Sequence, residues 1–158
     1  MDKNYRTELI GRVNDTLEDL KALDCELANT GAIEELKKML TEAYFTENLE
    51  ALEDSLCKLE DFSSELWRLD SSELEVLDDA LEYIGGDMDI TRHPKDYIRD
   101  FEDGCGYIHM SKEDYLRDIL DYKVVNGEIT EELVDCIDLE MFGRGFDITE
   151  LTHGITTY

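Results

Sequence analysis

The side chains in this 158-residue sequence with types suited to chemistry are three histidines, four cysteines and 41 carboxylates. His93, His109 and His153 have no Cys or carboxylate at a metal-binding spacing such as H-E-x-x-H or C-x-x-C, so surface or turn roles account for them. Asp87-Met88-Asp89 would suit the start of a calcium loop. That loop needs Gly at its sixth position and Glu at its twelfth, where this chain has Arg92 and Ile98. Gly104-Cys105-Gly106 lies beside Asp103, so a phosphate there would meet a carboxylate, and Cys105 lacks the positive surroundings that make a thiolate. A carboxylate pair doing acid–base work needs a pocket that raises one pKa; among 41 carboxylates, close pairs arise by chance. The expectation is a protein that is not an enzyme and takes no metal or cofactor.

What remains is the charge itself. Against 41 acidic residues stand 15 basic ones, a net of −26. A charge of roughly 2–8 keeps a small domain soluble, so the excess needs another explanation. Disorder is not that explanation, because 42% of the residues are apolar and they recur at regular intervals with only one Pro. Nucleic acid and anionic membranes would be repelled. Binding a basic protein surface, binding many cations, and tolerating high salt remain. Duplex DNA carries a charge about every 1.7 Å of axis, so −26 matches about 40–45 Å of duplex. Residues 1–66 hold 17 acidic and 7 basic side chains, and residues 67–158 hold 24 and 8. Cys25, Cys57, Cys105 and Cys136 are isolated, and neither a signal peptide nor a long apolar run is evident. Free thiols in a cytoplasmic protein are expected.

The elements that must carry these carboxylates follow from periodicity. Leu9, Val13, Leu17, Leu20, Leu23 and Leu27 recur at steps of three and four, predicting one helix ended by Asn29-Thr30-Gly31. A second helix should turn Ile33, Leu36, Leu40 and Tyr44 inward, and a third should bury Leu49, Leu52, Leu56 and Leu59. The latter spacing is heptad-like but too short for a coiled coil. Ser63-Ser64-Glu65 reads as the opening of a short turn carrying Leu66 and Trp67. Asp70 to Ser72 should cap a helix with Leu74, Leu77, Leu81 and Ile84, stopped by Gly85-Gly86. Pro94 opens a helix running to about Glu102, with Tyr97, Ile98 and Phe101 on its apolar side, and residues 103–106 read as a loop. Residues 107–110 suit a short strand, Ser111 caps a helix, Asn126-Gly127 turns, and Thr130 caps a short helix. Another helical turn covers Leu139 to Phe142, and the tail from Phe146 has hairpin chemistry. The predicted class is α+β, mainly α: an N-terminal helical bundle over residues 1–86, then a small mixed helix/strand part over residues 87–158.

Three stretches, Ala80–Gly86 (ALEYIGG), Arg99–Leu120 (RDFEDGCGYIHMSKEDYLRDIL) and Glu131–Phe146 (EELVDCIDLEMFGRGF), together resemble the ArdA-type antirestriction proteins. Leu133, Ile137, Asp138, Glu140, Phe142, Gly143 and Arg144 match that family's last motif in order and spacing, and His153-Gly154 is similar to its final hairpin. The resemblance covers about residues 67–158. Cys136, Leu139, Met141 and Gly145 depart from the motif, and the family's β-rich N-terminal domain has no counterpart in residues 1–66. The resemblance implies a non-catalytic DNA mimic, encoded by a phage or mobile element and acting as a homodimer. Its target would be the DNA-binding cleft of a host defence protein, a type I restriction–modification enzyme. The departures from the family leave the target open, and a CRISPR effector, whose basic channel a carboxylate array can fill, is the substitute, with the protein as an anti-CRISPR. Asp87, Asp89, Asp100, Glu102, Asp103, Glu113, Asp114, Asp118, Asp121 and Asp135 are the carboxylates expected to stand for phosphates. Asp138, Glu140 and Arg144 would instead hold structure or a dimer contact. A different class of function fits the same charge: an acidic adaptor or chaperone for a basic, nucleic-acid-binding protein. Salt adaptation is a third reading.

Overall fold

The computed structural model describes residues 2–85 and 88–157, and among them the chain forms eight helices and three two-residue strands. The class is α+β, mainly α, as the periodicity predicts. Contacts divide the chain into two compact units, residues 1–98 and residues 99–158.

The first unit is built on α1 (Asp2–Ala22), α2 (Glu26–Ala43), α3 (Leu49–Trp67) and α4 (Ser71–Ile84), and it includes the start of α5 (Pro94–Cys105). Leu9, Val13, Leu20, Leu36, Leu56, Leu59, Leu66 and Leu77 are wholly buried in one core. The predicted first helix is in fact two. The chain leaves α1 at Ala22, and α2 runs straight through Asn29-Thr30-Gly31. The reason is the Asn29 side chain. Its buried amide donates to the carbonyls of Leu20 and Leu23 at 2.7 and 2.9 Å, satisfying the end of α1 from within the next helix. Small residues then let α2 bury its face: the buried line is Ala28, Asn29, Ala32, Leu36, Met39 and Ala43. Leu27 and Tyr44, both expected inside, are 41% and 59% exposed.

Helix α3 also runs longer than predicted. Ser63-Ser64-Glu65 continues it, because Phe62, Ser63 and Leu66 extend the buried stripe and tertiary packing overrides weak local propensity. Asp70 caps α4 as expected, accepting from the Glu73 amide at 2.8 Å. Gly85 closes it in the left-handed region at φ 70°.

Ion pairs cross this unit. Arg12 of α1 reaches Glu53 and Glu60 of α3 at 2.9 and 2.5 Å. Tyr5 also donates its hydroxyl to Glu53. That bond, with desolvation behind it, pushes the Tyr5 hydroxyl up to about 12, and the same donor together with Arg12 holds the Glu53 carboxyl low. Arg6 donates to the Ala43 carbonyl at 2.7 Å, at the end of α2.

The second unit comprises the rest of α5, β1 (Tyr107–Ile108), α6 (Lys112–Val125), α7 (Glu131–Val134), α8 (Leu139–Gly143), β2 (Thr149–Glu150) and β3 (Ile155–Thr156). The residues expected as a loop, 103–105, extend α5, and the left-handed turn comes at Gly106, φ 58°. β1 stops after two residues, since the Met110 amide turns back to the Ile108 carbonyl. β3 lies between β1 and β2, antiparallel to both, pairing Ile155 with Ile108 and with Glu150. Phe101, Leu116, Leu120 and Ile155 are its buried large side chains. Two glycines permit close approach. A Cβ on Gly143 would stand 2.9 Å from Leu116 Cδ1, and one on Gly154 would stand 2.5 Å from the Ile108 carbonyl.

Candidate functional site

Helix α6 places the carboxylates most simply. Leu116 and Leu120 are buried, which turns the opposite side outward. Asp114, Asp118 and Asp121 follow at steps of four and three on that outward line, all exposed. The span from Asp114 to Asp121 is about 10 Å at the helical rise, close to one charge per 5 Å, against roughly 3.4 Å per phosphate along one DNA strand. Ser111 starts the helix by accepting from the Asp114 amide at 3.1 Å, which fixes the register of the line. Glu113 sits beside it and pairs with Arg117 at 2.8 Å.

The other predicted carboxylates are spread out. Asp100, Glu102 and Asp103 are exposed on the last turns of α5, and Asp135 is exposed just after α7. Asp89 belongs to the first unit. Its carboxylate accepts from the Thr91 hydroxyl and amide at 2.7 and 2.9 Å, bonds that hold its pKa below the usual value. Asp87 lies outside the described residues. Among the described residues, Glu102, Asp103, Asp114, Asp118, Asp121 and Asp135 form no ion pair within 4.0 Å.

Asp114 lies in the first turn of α6, where the helix dipole favours a carboxylate; the C-terminal ends of other helices are less favourable. Helices α2, α3, α4 and α5 carry no basic residue in their last turn, where the helix dipole favours a cation. Glu102 and Asp103 place negative charge at that end of α5.

The motif residues form a local frame. Asp138 caps α8, accepting from the Glu140 and Met141 amides at 3.0 and 3.3 Å. Arg144 meets Glu140 at 3.5 Å one turn on. Phe142 and Phe146 pack edge to face at 5.2 Å, and Gly143 is buried against α6. Ile137 is half-buried, whereas Leu133 is 53% exposed.

Sequence reasoning passed over the corner between α6 and α7. Tyr122 and Val125 are 66% and 83% exposed there, and Val124, Val125 and Val134 line a groove with Asp121, Glu131 and Asp135. One signal was present: Val125 stands four residues after Asp121, an aliphatic side chain on the acidic line.

Among the described residues no three His, Cys, Asp or Glu side chains are grouped to hold a metal ion, and no helix is long and apolar enough to cross a membrane. Cys25 is buried, and desolvation pushes its thiol up to about 11; Cys57 and Cys136 are exposed. No protein-family model matches the chain, and neither a curated protein nor a solved structure does.

Proposed function

We propose that this protein is a non-catalytic DNA mimic that occupies the nucleic-acid cleft of a host defence enzyme. The observation that carries this reading is the outward line Asp114, Asp118 and Asp121, a regular row of exposed carboxylates with no ion-pair partner among the described residues, at about 5 Å per charge against roughly 3.4 Å per phosphate of one DNA strand. Carboxylates fixed on a helix surface offer the charge-assisted hydrogen bonds that cleft lysines and arginines otherwise make to DNA. Held rigid by folding, they meet those cations at little further entropic cost. The net charge of −26 adds long-range attraction toward any basic channel. The similarity of residues 67–158 to ArdA-type antirestriction proteins supports a type I restriction–modification enzyme as target, with a CRISPR effector as the other candidate. The protein would act in the cytoplasm of the bacterial host.

The test is competition. Labelled duplex bound to a purified type I restriction enzyme, or to a CRISPR effector, should be released as this protein is added, with the loss of anisotropy that follows. Raising salt from low to physiological strength should weaken the inhibitor by about tenfold or more, because exposed charges are screened over ~8–10 Å. A ternary complex in which the duplex stays bound would sink the mimic and favour an adaptor.

A further inference from the structure

We infer that the groove at the α6–α7 corner binds a basic amphipathic segment of the partner protein, seating an apolar side chain flanked by lysines or arginines; this rests on the reading of the acidic face as a protein-binding surface. α6 ends at Val125, and Gly127, at φ 73°, turns the chain toward Thr130 and the start of α7. That corner sets Val124 and Val125 against Val134 and leaves a groove of about 440 Å³. Its rim is Asp121, Glu131 and Asp135, none in an ion pair among the described residues. Lys123, the nearby cation, is turned to Glu128 at 2.9 Å and does not neutralise that rim.

The groove continues the acidic line of α6, since Val125 follows Asp121 by one turn. A row of phosphates has no aliphatic floor between its charges. A cleft lined by lysines alone would meet the carboxylates and leave Val125, 83% exposed, uncovered. An occupant that satisfies both features is cationic at its edges and apolar at its centre. Desolvated apolar contacts ringed by charge are where interfaces concentrate their affinity.

Two synthetic helical peptides of equal lysine number, one with leucines on a single face and one with alanines there, test this on the full chain by NMR titration. The leucine peptide should bind about fivefold tighter, the effect of burying an additional apolar contact. Its shifts should centre on residues 121–135. Val125→Ser should abolish that preference and leave the alanine peptide's affinity unchanged; Val134→Ser should act the same way. Equal affinity for the two peptides, or shifts spread over the acidic surface, would overturn the groove proposal alone. Failure of both peptides to bind at low salt would remove the electrostatic reading with it. Dissociation of a dimer by Val125→Ser in sedimentation would make a second copy of this chain the occupant and overturn the proposal.

Discussion

The two units carry nearly the same charge for their size but use their cations differently. Residues 1–98 hold 26 acidic and 10 basic side chains, and residues 99–158 hold 15 and 5, about one net negative charge per six residues in each. In the first unit the pairs cross between helices: Arg12 of α1 to Glu53 and Glu60 of α3, and Lys95 of α5 to Glu73 of α4. In the second they are mostly local, with Arg117 on Glu113, Arg144 on Glu140 and Lys123 on Glu128 one turn or so away, although Lys112 reaches Glu150. In the first unit such pairs tie one helix to another. In the second they mostly tie neighbouring turns, and Glu102, Asp103, Asp114, Asp118, Asp121 and Asp135 stay outside them.

The largest expected effects concern the cores, because electrostatic cost must be offset by packing. Leu56→Ala removes a wholly buried side chain from the first unit and should cost about 2–5 kcal/mol in denaturant unfolding. Leu120→Ala in the second should cost a similar amount. A loss under about 1 kcal/mol there would mean a core too loose to fix the acidic line. Next comes close packing. Gly143→Ala should cost about 1–3 kcal/mol, since its Cβ would meet Leu116 Cδ1 at 2.9 Å, whereas Gly31→Ala, with nothing within 4 Å, should be neutral or stabilising. Equal effects at the two sites would break the account of the α6–α8 contact.

Asn29→Ala removes both bonds to the carbonyls that end α1 and should cost about 1–3 kcal/mol. Smaller again is the alkaline effect of Tyr5. Its folded pKa of about 12 stands above the ordinary tyrosine value of 10.0, so its contribution is fully present below pH 10 and is lost as pH rises toward 12. The wild type should therefore lose more stability than Tyr5→Phe across that window in parallel melts. Parallel curves would show that the bond to Glu53 does not persist in solution. Least of all should stability depend on the acidic line. Neutralising Asp114, Asp118 and Asp121 together to Asn should cost less than about 1 kcal/mol in denaturant unfolding, because Asp118 and Asp121 face solvent without an ion pair and only Asp114 stands in the first turn of α6, where the dipole favours it.

Much of this architecture was legible because leucine spacing is a strong signal. Asp70, Ser111 and Gly85 stop or start helices where their chemistry demands. The break at residues 23–25 was not legible. Leu27 continues the numerical spacing of Leu20 and Leu23, and only the folded structure shows Asn29 bonding back to them. Ser63-Ser64 and Gly104 misled in the other direction, since local propensity favoured a turn where packing and the final turn of α5 kept the helix. For the site, exposure of the carboxylates followed from the apolar stripe on α6. Their grouping did not follow, because Asp89 falls in one unit and Asp100 to Asp135 fall in the other. The Val124–Val125–Val134 groove depends on a corner at Gly127 that spacing alone does not define.

The central claim is that the outward acid of residues 99–158 substitutes for DNA. Displacement of labelled duplex from a type I restriction enzyme or a CRISPR effector, by wild type and by the Asp114/Asp118/Asp121→Asn variant, tests it most directly. Wild type should displace the duplex, and the variant should need roughly tenfold more protein, an effect of ~1.4 kcal/mol. Identical displacement curves for two equally stable proteins would contradict the claim.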